Sequence, residues 1–254
     1  MDGVILAGGI ASRLGPITKV TNKHLLPIYN KPLIFYGIET LRDLGCERVV
    51  IVLGGNSVGD IVNLVRDGSS FGVEVIYKFQ DAPRGISEAI NITKDIVTRS
   101  GSFKFLVLLG DNIFGDIKSL QKAVVLWHKE ILDSKYTYPA AVFLASSEHP
   151  HDYGQPILID EGTSVLKFVE KDPSVDHNLI VTGLYGLNYD TFEIISDQDY
   201  SLRGELEITD TLTQHLPNVI AYPYNGFWSD CGTPEGLADA TQYMMNRRDH
   251  VEVG

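Results

Sequence analysis

The chain has 254 residues, 44% hydrophobic and 21% charged, which is enough length and apolar content to bury a substantial core and excludes disorder as the overall state. Its 33 acidic against 21 basic residues give a formal net charge of −12, so no sequence-wide basic field exists to hold a nucleic acid or an anionic membrane surface. Apolar runs such as 49–53 and 105–109 fall far short of the roughly 18 residues a bilayer span needs, and no cationic start leads into a cleavable apolar segment, so a cytoplasmic protein is expected.

In chain order, residues 4–7 form a short apolar run ending at Gly8-Gly9 and predict the first strand. Residues 32–44 carry Leu33, Phe35, Ile38, Leu41 and Leu44 near helical spacing, stopped by Gly45. The β-branched run Arg48–Leu53 predicts a strand, followed by a helix over 57–65, a strand over 73–77, a helix over 87–97 and a buried strand over 103–109. Strand and helix in alternation predict a parallel sheet covered on both faces, because parallel neighbours need crossovers.

The second half changes character. After a helix over 120–132, strands over 140–145, 157–159, 165–169 and 179–187 are separated mainly by turn-like segments, which predicts antiparallel additions to the same sheet. A helix near 206–215, a strand near 219–222, a last helix over 234–247 and a frayed 251–254 complete the chain. With no linker, repeat or break in composition, a single α/β domain over 1–254 with a small substrate-side lobe is expected. Cys46 and Cys231 fit neither a disulfide framework nor a zinc site and are expected to be reduced, structural thiols.

The first chemical signal is Leu6-Ala7-Gly8-Gly9-Ile10-Ala11-Ser12-Arg13-Leu14, at the carboxyl end of the first strand. Ligands of open α/β sheets bind at that edge, where small residues let backbone N–H groups approach phosphate oxygens, and Arg13 would face the same anion. An ordinary tight turn accounts equally well for a glycine pair alone. The dinucleotide fingerprint fails at Ala11 and Leu14, and the glycines of 54–59 continue with Asp60 rather than the lysine of a P-loop. Asn22-Lys23-His24-Leu25-Leu26-Pro27 places a lysine just beyond the loop, before an apolar anchor that can hold it pointing back at phosphates. Taken alone, a solvated lysine is the commoner case.

Gly8-Gly9-x-x-Ser12-Arg13-Leu14-x-Pro16-Ile17-Thr18 followed by Asn22–Pro27 closely resembles the signature of the sugar-1-phosphate nucleotidylyltransferases. Similar stretches cover nearly the whole chain: Gln80-Asp81-Ala82-Pro83-Arg84-Gly85, Leu109-Gly110-Asp111-Asn112, Tyr153-Gly154, Val169-Glu170-Lys171, Val181-Thr182-Gly183, and Trp228-Ser229-Asp230-Cys231-Gly232. Arg203-Gly204-Glu205-Leu206-Glu207-Ile208-Thr209-Asp210 is the most discriminating, and resembles the branch that joins dTTP to glucose 1-phosphate. The resemblance implies a Rossmann-like, mainly parallel sheet, a nucleotide-binding part over about 1–115 and a sugar-phosphate-binding part over about 140–233.

It also implies roles. Leu6, Gly8, Gly9, Gln80, Pro83 and Gly85 would bind the nucleotide; Asn112, Tyr153, Gly154, Glu170, Lys171 and Val181 would line the sugar-phosphate pocket. Arg13, Lys23, Lys171 and Asp111 would be catalytic, and Asp111 and Asp230 would hold Mg²⁺. The residue types suit these tasks. A carboxylate leaving a buried strand can coordinate Mg²⁺ bridging phosphates, an amide offers donor and acceptor side by side to a pyrimidine, and a lysine binds a phosphate as a point charge. Each has a plainer reading as a turn cap, a surface loop or a solvated strand end.

Other groups are left outside the chemistry. The charges of 203–210 are explained by acids in a helix's first turn and by solvation, and Tyr222, Tyr224, Phe227 and Trp228 by core packing. The pairs His149/His151 and Asp197/Asp199 resemble metal ligands only in type.

The chain departs from the family pattern at Ala11-Ser12, where Gly-Thr is usual, and at Glu88, where a neutral Gln is common. It departs again at Gln155-Pro156 and at Asp172. Ending at Gly254, it lacks the helical extension of longer relatives, so no allosteric nucleotide site is expected, and a homo-oligomer stays open. Alternatives are a uridylyl- or cytidylyltransferase acting on another sugar 1-phosphate, or a non-catalytic sugar-nucleotide sensor.

Overall fold

The computed structural model describes residues 1–9, 12–101, 103–133, 139–159 and 164–248. Apart from a two-residue antiparallel pair, Pro27–Ile28 with Lys31–Pro32, its strands are β1 (Asp2–Ala7), β2 (Arg48–Leu53), β3 (Glu74–Phe79), β4 (Lys104–Leu109), β5 (Asn112–Phe114), β6 (Ala140–Ser146), β7 (Gly154–Leu158), β8 (Val165–Glu170), β9 (Leu179–Asn188), β10 (Val219–Pro223) and β11 (Trp228–Asp230). The α-helices are α1 (Leu33–Asp43), α2 (Val58–Val65), α3 (Ile86–Asn91), α4 (Lys94–Val97), α5 (Ile117–Asp133), α6 (Asp190–Ser196), α7 (Ile208–His215) and α8 (Pro234–Arg248).

Seven strands form one sheet in the order β10-β6-β9-β4-β1-β2-β3. β1 lies between β4 and β2 and is parallel to both, β2 is parallel to β3, and β6 is parallel to β10. β9 runs antiparallel to both its neighbours, β4 and β6. The mainly parallel α/β sheet expected from the alternation is therefore present.

Both faces of the sheet are buried, which explains why its strands read as continuous apolar runs rather than alternating ones. Successive residues still divide by pleat. Ile5, Ile51, Leu106 and Leu108 pack on one face under α1, α2 and α5, where Trp127 is fully buried. Val4, Val50, Phe105 and Val107 pack on the other, under α3, α6 and α7, where Phe105 stacks on Phe192 at 5.3 Å between ring centroids. Cys46 and Cys231 are free and buried; burial raises the Cys46 thiol to about 12 and also raises Cys231. Among the described residues no helix is long and apolar enough to cross a membrane.

Two predicted features are corrected and one helix is added. The strands near 157–159 and 165–169 do not extend the main sheet: β7 and β8 pair with each other as a separate antiparallel ribbon. Local alternation reports which face is apolar, not which sheet receives it. The single helix over 87–97 is broken between α3 and α4. There the buried Thr93 donates its hydroxyl to the Ile90 carbonyl at 2.7 Å, a side-chain bond that competes with helix continuation. α6 was absent from the prediction, since seven residues hold too few apolar positions to establish a period. Residues 10, 11 and 249–254 lie outside the described residues, so the loop at Ala11 and the fraying of 251–254 are left as expectations.

Candidate active site

The parallel strands β1, β3 and β4 end at one edge of the sheet, where a chain leaving each strand is free to meet a ligand. β1 delivers Leu6, Gly8 and Gly9, β3 delivers Gln80, and β4 delivers Leu109 and Asp111. Because β9 runs the other way, its middle rather than its end reaches this edge, with Leu184 opposite Leu108 of β4 and Gly183 and Val181 lying beyond.

Two adjoining cavities open here. The first, of about 190 Å³, is lined by Arg13, Asn112, Tyr153, Gly154, Glu170, Lys171, Val181 and Asp230 among others. The second, of about 220 Å³, is lined by Leu6, Gly8, Gly9, Lys23, Gln80, Pro83 and Gly85 among others. Ile86, Leu109 and Asp111 belong to both walls, so Asp111 stands where the cavities meet. The residues singled out for the nucleotide and for the sugar phosphate are thus gathered in two separate, contiguous spaces. Arg13 is the exception in placement: it lines the first cavity, away from the loop residues Gly8 and Gly9.

Lys23 is held by the turn that carries it. Asn22 caps a short 3₁₀ helix, Lys23–Leu25, accepting from the His24 N–H at 3.0 Å and from the His24 ring Nδ1 at 2.7 Å. The Asn22 amide in turn donates to the Asn56 carbonyl at 3.0 Å. Burial pushes the His24 imidazole down to about 3, so the ring is a neutral packing group. With that turn fixed, the Lys23 ammonium lies 2.5 Å from Asp111 Oδ2 and close beside Gly9, joining the glycine loop to the carboxylate.

The Asp111 carboxylate is buried, which works to raise its pKa. Lys23, with a smaller contribution from the Asn112 amide, outweighs burial and holds it well below the usual carboxylate range. Asp230 is shifted upward, first by burial and then by the charge of Asp111, against the opposing pull of Arg13. Arg13 Nη2 lies 2.9 Å from Asp230 Oδ2. A β-carbon placed on Gly232 would sit 2.8 Å from Asp230 Oδ1, 3.0 Å from Arg13 Nη2 and 3.2 Å from Asp111 Oδ2. The two carboxylates and the guanidinium therefore converge on one backbone position that has no side chain.

Asn112 fixes this centre from behind. Its amide donates to Asp111 Oδ1 at 3.0 Å, while its carbonyl oxygen accepts from Trp228 Nε1 at 2.7 Å and from the Gly183 N–H at 3.0 Å. Trp228 packs partly against the core, as expected, and also reaches the wall of the first cavity, edge-on to Tyr153 at 5.3 Å. Tyr222, Tyr224 and Phe227 do pack, against Phe143, Phe114 and Tyr243 respectively.

At the far end of the first cavity, burial raises the pKa of Glu170. Lys171 lies 3.7 Å from it and sits at φ +51°, a left-handed conformation disfavoured for a lysine and of a kind that clusters at functional sites. Arg203 lies 3.3 Å from Glu170 and 2.7 Å from Glu207, and the Thr209 hydroxyl donates to Glu170 at 3.4 Å.

The segment 203–210 opens a helix with an acid in its first turn only in part. α7 begins at Ile208 with Asp210 in that turn, while Glu205 and Glu207 precede it, and the Glu207 side chain at the N-cap position pairs with Arg203 instead of capping the helix. Leu206 is strapped to the second cavity: its N–H donates to the Arg84 carbonyl at 2.9 Å and its carbonyl accepts from Ser87 N–H at 3.2 Å. Gly85, at φ +105°, has no room for a side chain there, since a β-carbon would lie 2.4 Å from the Leu206 carbonyl oxygen. Glu205 reaches the lining of the second cavity, and Ile208, Thr209 and Leu212 that of the first. The apolar Leu206 among charges was a signal for its own burial, but nothing in the sequence signals the burial of Glu207 beside it.

Comparison with known proteins agrees with this architecture. Residues 2–247 match the model of the nucleotidyl transferase family. The chain is 34% identical to a low-salt glycan biosynthesis nucleotidyltransferase of Haloferax volcanii, over 96% of this chain and 66% of that protein. It is 31% identical to glucose-1-phosphate thymidylyltransferase of Neisseria meningitidis, over 96% of this chain and 83% of that enzyme. Among solved structures, UDP-glucose pyrophosphorylase complexed with UDP-glucose superposes with a TM-score of 0.80 at 28% identity, covering 97% of this chain and 98% of that one. A match spanning nearly every described element, with the glycine loop, Lys23 and both carboxylates brought to one edge, leaves one conclusion: the chain belongs to the nucleotidyl transferase family.

Proposed function

We propose that the protein transfers a thymidylyl group from dTTP to glucose 1-phosphate, giving dTDP-glucose and pyrophosphate. The observation that carries this reading is the meeting of two cavities at the Asp111–Asp230 pair, with Lys23, Arg13 and Lys171 arranged around it. A reaction between two phosphate-bearing substrates needs such a layout, with a separate space for each and a charge-bearing centre between.

In the proposed reaction an oxygen of the sugar phosphate attacks the α-phosphorus of the nucleotide. The bond from that phosphorus to the bridging oxygen breaks and pyrophosphate departs, so no protein nucleophile is required. Lys23 and Arg13 hold the triphosphate, Lys171 holds the incoming phosphate, Glu170 accepts from sugar hydroxyls, and Gln80 and Gly85 face the base. On this assignment the donor side comes mainly from residues of 1–115 and the acceptor side mainly from residues of 140–233, with Arg13 and Asn112 reaching the acceptor cavity and Glu205 the donor cavity.

The residues suit Mg²⁺. Asp111 and Asp230 are buried, hard oxygen donors aimed at one point, and among the described residues no cluster of three or more His, Cys, Asp or Glu side chains could close a metal cage. Mg²⁺ takes one or two carboxylates and fills its remaining positions with water and substrate phosphate. When bound, it would supply neutralising charge at the α-phosphate.

A uridylyl reading is favoured by one observation, the likeness to a UDP-glucose pyrophosphorylase. Purified protein with Mg²⁺, assayed for pyrophosphate against each NTP or dNTP and a panel of sugar 1-phosphates, separates the two. Fastest release is expected with dTTP and glucose 1-phosphate. Faster release with UTP replaces the thymidylyl reading, and binding without release in every combination replaces the enzyme with a sensor. Under the same assay Lys171→Ala is expected to raise KM for the sugar phosphate by about ten- to a hundredfold, the worth of one charge-assisted hydrogen bond, with KM for the nucleotide unmoved. Equal losses for both substrates would remove Lys171 from the acceptor side.

A further inference from the structure

The wall of the second cavity contains an amide whose orientation is imposed from outside the cavity. Gln80 is only 9% exposed, and its Nε2 donates to Glu88 Oε2 at 2.7 Å. The other oxygen of Glu88 accepts from Arg84 Nε at 2.6 Å. An amide can be turned end for end at almost no change in shape, so its orientation is decided by its partners. A carboxylate only accepts, and turning Gln80 round would bring its carbonyl oxygen against another oxygen bearing negative charge. Glu88 therefore permits one orientation. The Gln80 carbonyl oxygen then lies over Gly8, where a β-carbon would be 3.0 Å away, and Gly8 is itself part of the cavity lining.

We propose that Glu88 is a positioning residue that locks the Gln80 amide with its acceptor toward the nucleotide cavity. In this way it selects bases that present a ring N–H, as uracil and thymine do, over cytosine. The inference rests on the proposed assignment of this cavity to the base. A fixed, buried acceptor is left unpaired, or set against a lone pair, by a base that offers no donor there, and rejection of that kind far exceeds what shape alone achieves. Arg84 makes the arrangement compatible with an anionic ligand, because its guanidinium takes up the charge of Glu88 on the outer side, with the Arg84 side chain 54% exposed. A neutral amide at position 88 satisfies Gln80 in either orientation and removes the lock.

The test compares kcat/KM for dTTP and dCTP, at saturating glucose 1-phosphate, in the unaltered protein, Glu88→Gln and Gln80→Ala. The unaltered protein should prefer dTTP at least about tenfold, and Glu88→Gln should lower that preference about tenfold, through KM for the nucleotides and with KM for the sugar phosphate unmoved. A purely structural role predicts parallel losses with both nucleotides, which would overturn the proposal. An unaltered protein that uses dCTP as readily as dTTP overturns it as well. Selectivity unchanged in Glu88→Gln, with nucleotide KM raised in Gln80→Ala, overturns the role of Glu88 and leaves the base assignment standing. No effect of Gln80→Ala on nucleotide KM removes the base assignment itself. Should Glu88→Gln fail to fold, Glu88→Ala, which also leaves the Gln80 amide free to turn, is read in the same way: it should lower the preference for dTTP over dCTP about tenfold, and an unchanged preference overturns the proposal.

Discussion

Asp111→Asn is expected to lower kcat by about a thousandfold or more while the protein remains folded. The substitution preserves shape and removes one negative charge at the junction of the two cavities, where the reacting phosphates would meet. Stabilisation of phosphoryl charge by a held cation is worth several kcal/mol, and each 1.36 kcal/mol is a factor of ten in rate. The unpaired Lys23 ammonium lowers stability, but the fold is retained, since the Asn112 carbonyl is anchored by Trp228 and Gly183 and β4 is fixed between β1 and β9. Pyrophosphate release measured across a Mg²⁺ titration, beside a thermal melt, checks both halves. Turnover within tenfold of the unaltered protein would remove Asp111 from the charge-bearing centre.

Lys23→Met is the second large effect, and it falls on stability as well as turnover. Lys23 and Asp111 have side-chain exposures of 10% and 12%, so the ion pair is nearly enclosed. Deleting one partner leaves a carboxylate short of water and of compensation. Such a deletion costs roughly 3–5 kcal/mol in a sealed interior, and the lower end or somewhat less is expected here because the pair opens on a cavity. The double variant Lys23→Met/Asp111→Asn removes both charges and should recover most of the loss, a non-additivity that urea denaturation reads directly. Turnover should recover in neither variant, because the ammonium beside Gly9 is also the assigned partner of the triphosphate. Additive destabilisation in the double variant would mean the pair contributes nothing as a pair.

The parts of this molecule legible in its sequence are those whose physics is local. After their paired first residues, Asp2 and Arg48, β1 and β2 carry no polar side chain because helices bury both faces of the sheet, and each is followed by a glycine because the chain must turn. Asp111 could be placed at the ligand edge because it follows such a strand. What escaped depends on distant partners. The ribbon of β7 and β8 has the alternation of a sheet strand, and only its lack of a place beside β6 or β9 distinguishes it. Trp228 packs like the rest of its aromatic run, and its second role at the cavity is set by the carbonyl of Asn112, more than a hundred residues earlier. Glu205 and Glu207 look like helix-start acids until Arg203 and the strapped Leu206 give them other work.

The reversed direction of β9 bears on how the two substrate sides can change over evolutionary time. The second cavity, assigned above to the donor, is bounded by segments leaving β1 and β3, and connections of that kind accept insertions and deletions readily. The first cavity, assigned to the acceptor, is lined by Val181 and Gly183 of β9, where the pairing with β6 shifts register between Val181 and Tyr185 and Gly183 is held by Asn112. Lengthening β9 beyond that irregularity would shift the ladder and turn every following side chain to the opposite face. A side chain at Gly183 would also meet Asn112, since a β-carbon there lies 2.7 Å from the amide carbon. New acceptors are therefore reached by exchanging individual side chains such as Val181, whereas new donors can be reached by remodelling whole loops.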